Sequence, residues 1–160
     1  MKRLGWLVAG ALVIGTLDGA FAIIFWGMRG VGPIRIFQSI AAGLLGRAAY
    51  SGGLRTESLG LALHYFIALV IVLVYWLAIR IIPALARRTI LYGAVYGVCV
   101  YLFMNYVVIA LSATSRSRFL LSWVAWSIVV HAFLIGVPAV FFARKASGGQ
   151  KERRFDPPLF

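Results

Sequence analysis

The chain has 160 residues, of which 62% are hydrophobic and only 12% charged, with a formal net charge of +12 and a mean hydropathy of +0.95. Soluble domains run at about 45–50% apolar and about 25% charged residues, so this composition excludes one and indicates an integral membrane protein. The length suits one domain, most of it used by four spanning helices of about 20 residues.

Residues 4–26 form the first long apolar run, behind Lys2 and Arg3 and interrupted by Thr16 and Asp18. Such a start also fits a signal peptide with Ala20-Phe21-Ala22 as its cleavage site, but a carboxylate inside the apolar region argues against cleavage. Residues 27–57 are rich in glycine and carry Arg29, Arg35, Arg47 and Arg55, which excludes a span. Within them Phe37, Ile40, Ala41, Leu44, Leu45 and Ala48 recur at helical spacing, predicting a short amphipathic helix over 35–50, interfacial or shallowly re-entrant.

The second span is expected over 58–79, carrying His64 and closing with Trp76 and Arg80. Residues 81–88, with Pro83, read as a short polar turn. The third span covers 89–112, with Thr89 as its N-cap and Asn105 inside. The fourth covers 119–142, where Pro138 lacks an N–H, frees the carbonyl near Leu134 and is expected to kink the helix. Residues 144–160 form a basic tail beyond a single transmembrane domain of residues 1–143. Trp6, Trp26, Trp76 and Trp123 fall near span ends as interface anchors, with Trp126 one turn deeper. The lone Cys99 excludes an intrachain disulfide and reads as a small core residue. The predicted fold class is therefore all-α: an integral membrane four-helix bundle with one interfacial or re-entrant helix between the first two spans.

Lysine and arginine counts set orientation. One side holds Lys2, Arg3, Arg80, Arg87, Arg88, Arg144, Lys145, Lys151, Arg153 and Arg154; the other holds Arg29, Arg35, Arg47, Arg55, Arg116 and Arg118. Both termini are expected in the cytoplasm. Arg144, Lys145, Lys151, Arg153 and Arg154 lie where each basic residue gains about 1 kcal/mol from anionic headgroups. Docking of the tail onto a larger complex is a second use for this charge. Nucleic acid is not expected as a partner, because no folded reader or stacking platform accompanies the charge.

Polar groups in hydrocarbon are costly and therefore functional candidates. Asp18 is the only carboxylate inside a span; His64, Asn105, Ser127 and His131 join it. Counted from the outer end of each predicted span, Asp18 and Ser127 lie ~12 Å deep, Asn105 ~10 Å, His64 ~9 Å and His131 ~18 Å. Gly15 and Gly19 on the first span, and Gly93 and Gly97 on the third, form small-xxx-small segments that let helices approach closely. Three readings follow: hydrogen-bonded glue within a bundle, a proton-coupled carrier or channel using Asp18 and His64, or a b-type haem between His64 and His131. The depth mismatch of ~9 Å argues against shared axial ligation. No His-Glu-x-x-His, phosphate loop or Gly-x-Ser-x-Gly pattern is present, and Asp18 alone cannot supply paired aspartates. A non-enzymatic subunit or accessory component of a membrane complex, or a self-associating bundle, is thus the leading expectation, without cofactor or metal. A proton-coupled carrier is the alternative.

Leu63-His64-Tyr65-Phe66, Pro83, Gly93 to Gly97, Asn105-Tyr106-Val107-Val108, Leu111-Ser112 and a last helix with His131 together resemble the YagU-like group of small bacterial inner-membrane proteins, over roughly residues 60–140. The resemblance implies a multi-span helical fold, a bacterial inner-membrane location and a match of His64 and His131 to the pattern's two histidines. Ala110 stands where the group usually has proline before Leu111-Ser112.

Overall fold

In a computed structural model the chain is an all-α bundle, described for residues 2–114 and 120–148. Four helices are long and apolar enough to cross a membrane: α1 (Lys2–Gly27), α3 (Gly53–Ile81), α4 (Thr89–Leu111) and α5 (Leu121–Ala146). A shorter helix, α2 (Pro33–Leu45), connects the first two. The protein is a multi-pass membrane protein, and its many exposed Leu, Ile, Val and Phe side chains lie on the outside of the bundle. Leu7 near the start of α1 and Ala146 at the end of α5 share one core cluster, so the two ends of the described chain lie on one face. The helix α2 lies at the opposite face.

Two helix ends run well beyond the apolar windows predicted from sequence, while the last helix starts at Leu121 instead of 119. The second span begins at Gly53 instead of 58, and the last ends at Ala146 instead of 142. Helical hydrogen bonding does not stop where hydrocarbon does. Arg55, Thr56 and Glu57 extend α3 into the polar interface, and Arg144 and Lys145 extend α5 at its other end.

Pro33 occupies the first turn of α2, where its missing N–H costs nothing, and Gly46 at φ +59° ends it. A 3₁₀ turn, Gly46–Ser51, then leads into α3. At 13 residues α2 reaches about 20 Å, short of the ~30 Å hydrocarbon core. It packs instead on the first turns of α3. The Gln38 amide donates to the Gly53 carbonyl at 3.2 Å, Thr56 donates to the Ala49 carbonyl at 2.7 Å, and the Phe37 carbonyl lies directly against Gly60. The Ala113 N–H donates to the Gly43 carbonyl at 2.9 Å, tying α2 to the chain that leaves α4.

The core mixes alanines with branched aliphatic side chains. Leu7, Ala11 and Ile14 of α1 meet Ala68 and Val72 of α3 and Val130, Ile135 and Ala139 of α5. A second cluster joins Tyr75 and Ile79 to Val140 and Ala143. Without a hydrophobic driving force between helices in lipid, such close packing is what holds spans together. It is closest between α4 and α5. A methyl group at Gly93 would lie 2.6 Å from the Val137 Cα, and one at Gly97 would overlap the His131 carbonyl. Gly136 presents no side chain to the same strip of α4.

Two spanning helices contain a π-helical turn, Met104–Val108 in α4 and His131–Gly136 in α5. In α4 the Asn105 amide donates at 2.9 Å to the Tyr101 carbonyl, the acceptor its own backbone N–H would use in an α-helix. In α5 the wide turn directly precedes Val137-Pro138 and absorbs the proline's missing donor.

Two smaller expectations change. Thr89 is the first residue of α4 and not its cap, which is Arg88; its hydroxyl instead accepts a hydrogen bond from Arg144. Cys99 is exposed on α4, facing away from the helices that bury Gly93, Gly97 and Val100.

Candidate functional site

All five helices contribute to one cavity of about 180 Å³. Ile14, Gly15 and Asp18 share a face of α1 at helical spacing, as do His64, Ile67, Ala68 and Ile71 on α3. Ile40 comes from α2, Met104 from the π turn of α4, and His131 and Ile135 from that of α5. The volume equals that of about six water molecules at ~30 Å³ each.

The sequence-derived depths separated His64 from His131; the observed helix ends remove that difference. His64 is eleven residues from Gly53 and His131 ten from Leu121, so both lie about 15–17 Å from the α2 end of their helices. Asp18, nine residues from Gly27, lies about 13 Å from that end.

Hydrogen bonds fix each imidazole. His64 Nε2 is 2.7 Å from the Gly15 carbonyl, across the α1–α3 interface. A carbonyl only accepts, so Nε2 carries the proton and a neutral His64 keeps its lone pair on Nδ1. His131 Nδ1 is 2.8 Å from the Ser127 carbonyl on its own helix. The opposite tautomer follows, with the lone pair on Nε2. The rings are held on their edges by aromatic neighbours: Phe37 and Tyr65 beside His64 at 6.1 and 5.5 Å, and Tyr101 beside His131 at 5.3 Å. Among the described residues no donor bonds the Asp18 carboxylate, although the residue is half-buried.

Gly15 and Gly19 make this site possible. A methyl group at Gly15 would lie 2.8 Å from the Tyr65 ring, and one at Gly19 would lie 3.4 Å from His64 Nε2. Tyr65 itself shares a 3.0 Å hydroxyl bond with Thr16 beside them. Both small-residue pairs identified in the sequence, Gly15/Gly19 and Gly93/Gly97, are thus points of close helix approach.

Of the five polar residues expected to converge, the cavity brings together Asp18, His64 and His131. Asn105 does not line it, because its amide is committed to its own helix. Ser127 is 1% exposed and contributes its carbonyl to His131, while its hydroxyl has no partner among the described residues. Ile40, Met104 and Gly136 were not identified from sequence. Met104 and Gly136 lie in π turns that rotate the helix face, and only the position of Gly136 two residues before Pro138 hinted at one.

Among the described residues no group of three His, Cys, Asp or Glu side chains could hold a metal ion. Of the basic residues assigned to lipid headgroups, Arg144 bonds Thr89 and Lys145 lies 5.7 Å from the Phe141 ring centre. Lys151, Arg153 and Arg154 lie outside the described residues, as do Arg116 and Arg118.

The fold and site together define a polytopic helical membrane protein with a small cavity among its spans, lined by Asp18, His64 and His131. No family model, curated protein or solved structure matches the chain.

Proposed function

We propose that the protein is a small proton-coupled carrier or channel that uses Asp18 and His64, with His131 completing the site. The observation that carries this reading is the cavity, built from all five helices, that has a carboxylate and two imidazoles in its lining. Charged groups within a membrane cost several kcal/mol and persist where they line ion or proton pathways. His64 holds its Nε2–H on the Gly15 carbonyl and so presents Nδ1 as its free ring nitrogen. The bacterial inner membrane is the proposed location, supported by the resemblance to the YagU-like group, with both termini in the cytoplasm on the lysine and arginine count.

The test is proton flux in liposomes containing the purified protein. Flux that rises with an imposed pH gradient and falls at least tenfold in Asp18→Asn, with assembly unchanged, is the expected result. Unaltered flux with lost assembly would assign Asp18 a structural role. That second reading, a non-enzymatic accessory subunit or self-associating bundle, draws support from α4, of whose most apolar stretch only 17% is buried, leaving a broad face for lipid or a partner.

A further inference from the structure

The polar inventory of the cavity is one-sided, and this selects its ligand. Asp18, when ionised, offers only acceptors. His64 and His131 have each spent their N–H on a backbone carbonyl and retain a lone pair. The Met104 thioether is at most a weak acceptor. Among the described residues no lysine, arginine, hydroxyl or amide side chain lines the space. An anion or a carbonyl-bearing solute would find no side-chain donor there, and its desolvation would go uncompensated.

We propose that the cavity binds a small cation bearing N–H donors, ammonium or a short primary alkylammonium. This rests on the reading of the cavity as the working site. A tetrahedral N–H group matches a carboxylate and two imidazole lone pairs. A bare inorganic cation instead asks for a shell of oxygens that one carboxylate cannot provide. The remaining wall, of isoleucines 14, 40, 67, 71 and 135, accepts a short alkyl chain, and about 180 Å³ limits the ligand to a few heavy atoms.

Isothermal titration calorimetry on the full chain in detergent tests this, using ammonium, methylammonium, tetramethylammonium, potassium and acetate salts. Saturable binding of ammonium and methylammonium is expected, at least tenfold tighter than tetramethylammonium or potassium, with none for acetate. Asp18→Asn, nearly isosteric, should weaken it at least tenfold, with helical content by circular dichroism as the folding control. The comparison among salts on the unaltered protein stands even if that variant fails to fold. Equal binding of tetramethylammonium or potassium, binding of acetate, or no heat with ammonium would overturn the proposal. Proton flux abolished in Asp18→Asn without ammonium binding removes the ligand and leaves the carrier reading. Ammonium binding without any flux does the reverse.

Discussion

At Gly97 the neighbouring group is the His131 carbonyl, which belongs to a helix backbone and cannot swing aside as a side chain would. Gly97→Leu is therefore expected to separate α4 from α5, at a cost at or above the ~1–3 kcal/mol typical of overpacked cores. Gly5→Leu is the matched control, because nothing lies within 4 Å of its missing methyl. Thermal unfolding in detergent should show a lower midpoint for the first and little change for the second. Since His131 lies in this seam, Gly97→Leu should also disturb the cavity, whereas Gly5→Leu should not.

At the scale of elements, the two π turns decide which side chains reach the cavity. The Asn105 amide occupies the Tyr101 carbonyl and thereby helps widen the turn from which Met104 enters the site. Asn105→Ala frees that carbonyl for the ordinary ladder, and the turn should relax toward α-helix. The methyl resonance of Met104 in an NMR spectrum of methyl-labelled protein is expected to move, while total helicity stays the same; an unmoved resonance would refute this role. These turns also mark the limit of what was legible in the sequence. The four spans could be read directly, since long apolar runs have few alternatives in lipid. The convergence of Asp18, His64 and His131 was only half visible. Depth was counted from apolar edges, whereas α3 runs on through Arg55 and Glu57 and α5 starts at Leu121, and the two offsets together separated the histidines. Asn105 and Ser127 were grouped with them by depth, which does not fix the direction a side chain takes around its helix. Cys99 was misplaced for a related reason: in an apolar helix, periodicity does not reveal which face is inside.

For the molecule as a whole, the four arginines around α2 oppose Lys2, Arg3, Arg80, Arg87, Arg88, Arg144 and Lys145 on the face of the termini. The proposed orientation follows from this imbalance and can be checked with introduced thiols. Ser51→Cys, beside α2, should react with a membrane-impermeant maleimide added to intact cells. Ser147→Cys, just past α5, should react only after the membrane is opened. The reverse pattern would invert the protein in the bilayer.

The native thiol has a different consequence. Cys99 lies ten residues into α4, about 15 Å from its start, on a side turned away from the bundle. The wild-type chain thus carries one attachment point for a nitroxide near the bilayer midplane, pointing into the acyl chains. Oxygen accessibility there would measure immersion depth, and dipolar broadening would measure the spacing between neighbouring copies, without changing a single residue.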